Sequence, residues 1–359
     1  MIYVVIISIW CILLSSFWKP LTKKAELVQL LFCFLPLLIM IATRVDWLPD
    51  DTSYEDSYDL FHDMDWGIYI LTYLDKKFEP GWYLLCNLMP SSRMLLWFVS
   101  ILYILSIILL FHKIIPHKYW PLAFLLFFYT PLFYENISAQ RSSIVISLFL
   151  FAVLLRMKKK FILAFVVVMA SGLFHRSGFF LVPLILIRDS YIDKYYKFIA
   201  AVTFSVVIMC IFTPSVFNEF LVDSFSENEN LSSYLVYLEA TNKSMGYYVM
   251  QGLQICMVLY LLYLCGRLRK IEGFSYLILL ALVNTILSIM PNIGIGRIHS
   301  YFILLVIAFV TRIKEYKNDG LVNAYIFAYC LYTFYGFMDF TLRLAMYNGN
   351  FVIYHSVLF

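Results

Sequence analysis

The chain has 359 residues, of which 62% are apolar, 19% aromatic and only 14% charged. A water-soluble domain carries about 45–50% apolar and about 25% charged residues, so a soluble chain of this length could not bury so much apolar surface. A mean hydropathy of +0.82 excludes a cytosolic enzyme, a nucleic-acid binder and a disordered protein.

The chain opens on MIYVVIISIWCILLSSFW. This stretch has neither a basic n-region nor a small-residue cleavage site, which predicts a retained membrane helix rather than a cleaved signal. A spanning helix needs about 20 mostly apolar residues, with about 17 as a lower bound. Apolar runs cover 2–17, 26–42, 94–111, 119–135, 141–155, 161–174, 178–187, 198–214, 247–265, 273–290, 298–311 and 321–338. The pair 161–174 and 178–187 is too short for two crossings. A polar FHRSG lies between them, which predicts a broken or re-entrant segment near 174–178, tolerated only where protein or water surrounds it. The expected fold is all-α and polytopic, with about 11–12 transmembrane helices in a single integral membrane domain over 1–359.

The formal charge of +4 says little as a total and more as a distribution. One alternating set of loops, from Lys19 to Lys317, holds 18 of the 27 basic residues, while the intervening set carries 17 of the 23 acids. Basic loops mark the cytoplasmic side, so the N-terminus and the acidic loops are expected to face outward. Two outer loops are sizeable, 43–93 and 215–246. The first is dense in Asp, Tyr and Trp. Seven cysteines show no CxxC or CxxH spacing, so neither a zinc site nor a disulfide framework is indicated, and they read as small buried hydrophobes.

Ionisable residues near membrane depth on the non-basic side are costly, and their default reading is functional. Four arginines stand at outer helix ends: Arg44 after the second run, Arg141 in ENISAQRSSIV, Arg176 in GLFHRSG and Arg297 in NIGIGRIHSYF. Guanidinium offers a permanently charged, planar fork of donors suited to phosphate. Asp46, Asp50, Asp51 and Glu79 lie on the same side, and a carboxylate beside an arginine stays ionised and can take a proton from a hydroxyl. Glu79 is singled out by EPGWYLL, where a Pro–Gly turn fixes it below an aromatic stretch. Glu55, Asp56, Asp59, Asp63 and Asp65 read as a solvated acidic face. His175 is a candidate proton carrier or phosphate donor. Tyr54, Tyr58, Trp66, Trp82 and Tyr83 lie among the acids, as ring faces that hold sugars do. No residue spacing suggests a tightly held metal.

The motif order then becomes informative. Arg44, Asp50 and Tyr54 follow the second run, Glu79 to Tyr83 form EPG plus aromatics, and Gln140–Arg141 open an apolar helix. Phe174, His175 and Ser177 follow, then a late Arg297, Ile298, Tyr301, Phe302. This order resembles the EpsG family, grouped with Wzy-type O-antigen and exopolysaccharide polymerases, over about residues 30–310. Leu48–Pro49 stands where the family commonly has a glycine, leaving Asp50 or Asp51 at its acidic position.

The resemblance implies a GT-C-like, multi-pass glycosyltransferase of the bacterial inner membrane with its active site facing the periplasm. The implied reaction moves a glycan from undecaprenyl diphosphate to another lipid-linked repeat unit, with no cofactor and no metal. Lipid-linked oligosaccharides and membrane lipid are the implied partners, with a chain-length regulator protein as a further one. In this reading Arg141 and Arg297 clamp the diphosphate, assisted by Arg44 or Arg176, and His175 donates to the same phosphates. Asp50 or Glu79 orients or deprotonates the acceptor, with Asp51 as substitute. Tyr54, Trp82, Tyr83 and Tyr301 hold sugar. The alternatives are an O-antigen ligase-like glycosyltransferase and a non-enzymatic lipid-linked oligosaccharide flippase. A flippase requires charges along a mid-membrane path and repeat symmetry, neither of which the sequence offers.

Overall fold

The computed structural model describes residues 2–45, 47–48, 50–72, 79–212, 245–268, 274–289, 296–316 and 320–347. Among these residues every regular element is helical. The chain divides into two compact units, Met1–Leu186 with Thr333–Phe359, and Ile187–Tyr332.

In the first unit, α1 (Ile2–Phe17) and α2 (Lys23–Ala42) form an adjacent pair, and α2 starts where Thr22 accepts the Ala25 N–H at 3.1 Å. A side-chain oxygen at this place satisfies one of the otherwise orphaned first-turn donors. Ser91 plays the same part for α6 (Ser92–Ile114). Helix α9 (Gln140–Met157) is closed by Lys159, whose φ of 59° ends the helical path. Among the described residues α2, α6 and α9 are, by length and composition, long and apolar enough to cross a bilayer. Helix α6 packs against both α2 and α9. Its exposed large apolar positions are Met94, Phe98, Ile101 and Leu105, spaced as one stripe of a 3.6-residue helix.

The apolar run 119–135 is not one helix. It divides into α7 (Trp120–Phe128) and α8 (Pro131–Ser138). Pro131 has no N–H to continue the ladder, and a proline fits the first turn of the next helix instead. The region 161–187 is broken, as its length demands. Helix α10 (Phe161–Ser171) has 11 residues, a rise of about 16 Å, well short of a hydrocarbon core about 30 Å thick. A turn, a 3₁₀ segment Arg176–Leu181 and α11 (Val182–Leu186) fold back along α10. A Cβ at Gly178 would lie 2.5 Å from Ser171 Oγ and 2.8 Å from the Gly172 backbone nitrogen; the absence of a side chain there closes the turn.

The described residues of the segment 43–93 are folded. Helices α3 (Asp51–Phe61), α4 (Trp66–Thr72) and α5 (Pro80–Leu88) precede α6. Their inner faces supply Tyr54, Tyr58, Phe61, Tyr69, Trp82 and Tyr83 to a buried cluster that also takes Leu95 and Val99 of α6 and Ile144 of α9. Asp56, Asp59, Asp63 and Asp65 remain exposed.

In the second unit, α12 (Asp189–Phe212), α13 (Met245–Leu268) and α14 (Phe274–Ile289) are followed by α15 (Gly296–His299), α16 (Ile303–Tyr316) and the start of α17 (Gly320–Tyr347). Helix α14 contacts α12, α13, α15 and α16. Helix α12 begins nine residues before the apolar run at 198, because Ile192 and Tyr196, one turn apart, are buried and extend its inner stripe. The run 298–311 is interrupted at 300–302. Of the segment 215–246, expected from its acidity to be an outer loop, all but the last two residues lie outside the described residues.

Candidate functional site

Glu79 is placed by its local sequence. Its backbone is extended (φ −79°, ψ 154°), Pro80 follows as the first residue of α5, and the Glu79 side chain makes no capping bond to that helix. The carboxylate is used elsewhere. Its Oε2 accepts from Arg141 Nη1 at 2.6 Å, and its Oε1 accepts the backbone N–H of Arg176 at 3.0 Å. Both side chains are largely enclosed, Arg141 at 14% and Glu79 at 8% exposure. One carboxylate therefore ties the 43–93 segment to the start of α9 and to the α10–α11 turn.

Gly81 makes that docking possible. Its N–H donates to the Leu173 carbonyl at 2.8 Å, and a Cβ in its place would stand 2.6 Å from that oxygen. Two backbone segments in such contact leave no room to yield. Gly81→Ala is expected to cost about 1–3 kcal/mol, the range for forced overpacking. Thermal unfolding of the detergent-solubilised protein measures it, and an unchanged midpoint would deny the contact any weight.

Tyr54 completes the surroundings of Arg141. Its hydroxyl is hydrogen-bonded to Arg141, and its ring meets Trp82 edge-on with centroids 5.2 Å apart. Burial pushes the Tyr54 phenol above its ordinary range; Arg141 pulls the other way and Asp50 adds to the rise. The phenol is thus a neutral donor and acceptor beside a fixed cation. Asp50, at the start of α3, is half-buried and its Oδ2 accepts the Ser138 hydroxyl at 3.3 Å. Asp50, Tyr54, Glu79, Arg141 and the turn 173–176, of which Glu79 and Arg176 alone stand 97 positions apart in the chain, are neighbours in the first unit.

His175 is half-buried in the same turn. Its Nδ1 accepts the Ser177 N–H at 3.3 Å and lies 2.6 Å from the Ser177 hydroxyl. A nitrogen that accepts from an amide carries no proton, so the neutral ring bears its hydrogen on Nε2. The Arg176 side chain is exposed, and its charge acts on Tyr69. Burial and the nearby Glu79 push that phenol up to about 12, with Arg176 opposing.

Arg44 and Asp51 form a different centre. Arg44 is 1% exposed; its Nε donates to Asp51 Oδ1 at 2.8 Å and its Nη1 to the Ile41 carbonyl at 3.0 Å. Asp51 Oδ2 accepts the Leu48 N–H at 3.0 Å. The pair fastens the turn between α2 and α3. Beside it is a narrow cleft lined by Arg44, Tyr54, Glu55, Arg93 and Gln140. Arg93 donates to the Arg44 carbonyl and approaches Glu55 at 3.5 Å. The sequence reading does not single out Arg93, although a similar signal marks it: it lies in the first turn of α6 just as Arg141 lies in the first turn of α9.

Trp82 and Tyr83 lie inside the loop's own core. Trp82 is fully buried and its Nε1 donates to Ser57 at 3.2 Å; the Tyr83 hydroxyl donates to the Met64 carbonyl at 2.6 Å, and its ring stacks on Tyr69 at 4.2 Å. Trp66 keeps 44% of its surface and stacks on Tyr69 from outside at 5.3 Å. Tyr301 is buried in the second unit, and the Arg297 side chain, also in that unit, lies outside the described residues. Among the described residues no three His, Cys, Asp or Glu side chains come together to hold a metal ion.

Compared with known proteins, the chain matches the model of the EpsG family over residues 27–356. Neither a curated protein nor a solved structure matches it.

Proposed function

The chain belongs to the EpsG family, a Wzy-like polymerase family, and from that premise we propose that it elongates a polysaccharide on a lipid carrier. The proposed donor is a glycan on undecaprenyl diphosphate. The acceptor is the non-reducing end of a second lipid-linked repeat unit, met at the periplasmic face of the bacterial inner membrane. In this reading the chain is GT-C-like, with about 11–12 crossings, and needs no metal. The observation that carries the proposal is the meeting of Glu79, Arg141, Tyr54 and the 173–176 turn at one place in an otherwise apolar protein.

The acceptor hydroxyl attacks the anomeric carbon, the bond from that carbon to the diphosphate oxygen breaks, and the hydroxyl proton passes to a carboxylate. Charge grows on the departing diphosphate, so a guanidinium already fixed in place stabilises the transition state more than the ground state. Arg141, held by Glu79 and Tyr54, fills that role, with Arg176 and His175 Nε2–H as further donors. The carboxylates divide the work. Glu79 is engaged by a cation and an amide and positions Arg141. Asp50, with a weaker hydroxyl contact and more exposure, is the proton acceptor.

Three measurements test this. Purified protein in lipid vesicles with a lipid-linked repeat unit should yield a polymer ladder and free lipid diphosphate; transfer to a lipid A core instead would identify a ligase, and mere translocation a flippase. Asp50→Asn should slow the reaction about 10²-fold or more, the usual worth of a positioned general base, while leaving unfolding unchanged. A reporter fused after Asp63 should read periplasmic and one after Lys159 cytoplasmic; the opposite pattern would invalidate the assigned sidedness.

A further inference from the structure

The helices built around the aromatic cluster of the 43–93 segment differ in what they expose. On α3 the exposed residues are Thr52, Ser53, Asp56, Asp59 and Leu60, mostly polar and twice charged. On α4 and α5 no exposed residue is charged. Helix α4 presents Trp66, Ile68, Ile70 and Leu71, the last at 89% exposure, and α5 presents only Leu84 and Leu88. One small core therefore has a water-compatible side and an apolar side.

The apolar side does not end with α5. Only Met89–Ser91 separate Leu88 from α6, whose exposed large apolar positions are Met94, Phe98, Ile101 and Leu105. In a helix long and apolar enough to cross the bilayer, that stripe faces lipid. The segment is tethered at both ends to such helices, α2 and α6, so it cannot leave the membrane surface. Trp66 adds the expected boundary residue, an amphipathic ring of the kind enriched where headgroups meet acyl chains.

We propose that α4 and α5 are an interfacial element, seated in the headgroup–acyl boundary of the leaflet next to the 43–93 segment, with α3 turned to water. The partner of this surface is the lipid bilayer itself. Because Glu79 starts α5, the same seating holds its carboxylate at the level of lipid headgroups. The seating follows from the exposed surface alone and stands whether or not the chain transfers sugar.

The test places p-benzoylphenylalanine, one position at a time, at Leu71, Leu88, Ile101 and Asp59 in the full-length protein. Each variant is reconstituted in vesicles of phosphatidylethanolamine and phosphatidylglycerol, irradiated, and read by intact-protein mass. Phospholipid adducts at positions 71 and 88 should match the yield at position 101, the lipid-facing reference, and exceed position 59 several-fold. Adducts at 101 without adducts at 71 and 88 would overturn the proposal. So would crosslinks from 71 or 88 to another part of the chain or to a second copy, since the surface would then be a protein contact. Leu71→Ala and Leu88→Ala, each with the benzophenone at the other position, separate the two helices: a lipid adduct that persists in either shows that helix seated on its own.

Discussion

Arg141→Ala is expected to abolish chain elongation while the protein stays folded and inserted, with single repeat units accumulating on the lipid carrier. The arginine is poised rather than entombed: 14% of its side chain is exposed, and Glu79 and Tyr54 fix its guanidinium from two directions. Loss of one preorganised donor to a developing oxyanion costs about 10²–10³ in rate, enough to remove long chains from a gel. Arg141→Lys keeps the charge and loses the planar fork, so it should fall between wild type and alanine. Monodisperse elution of the alanine variant would separate a chemical defect from misfolding. Long chains made by that variant would refute the clamp.

Arg44→Ala should behave oppositely, costing stability first. Arg44 is 1% and Asp51 6% exposed, so the substitution strands a carboxylate in the interior with the Leu48 N–H. Breaking a buried pair from one side costs about 3–5 kcal/mol, whereas replacing both partners with apolar groups is often neutral. Arg44→Met combined with Asp51→Leu should therefore recover most of the unfolding midpoint that Arg44→Ala loses. Polymer length then decides the role. Normal chains from the double variant make Arg44 a fastener between α2 and α3; a stable but inactive double variant makes it a substrate contact as well. Two arginines of identical chemistry are thus separated by experiment on the basis of burial and partners.

Much of the helix pattern was legible because apolar runs report directly on burial or lipid. Ile2–Phe17 coincides with the run 2–17, and the break between 171 and 176 followed from two runs too short to cross. The division at Pro131 was written in the sequence too, but it was masked by apolar residues on both sides. Helix α12 was read short because its inner stripe, Ile192 and Tyr196, sits among Lys, Asp and Tyr that lower the local hydropathy. The site was legible as a set of residue types and not as a set of contacts. Arg141 and Arg176 are marked by charge at helix ends and Glu79 by the Pro–Gly turn that follows it, yet nothing local says that one carboxylate serves both of the others. That pairing depends on a glycine amide lying against Leu173, a contact between segments about ninety positions apart. Trp82 and Tyr83 show the reverse. Aromatic rings among acids read as a sugar platform, and here they are the core on which the acids are mounted.

The enclosure of Arg141 has an electrical consequence. Its side chain keeps 14% of its surface and that of Glu79 8%, so little water stands between the guanidinium and any group brought beside it. A unit charge in such surroundings is felt several times more strongly than in bulk water. One immobilised cation can there exert an attraction that freely hydrated lysines at a protein surface would share among several.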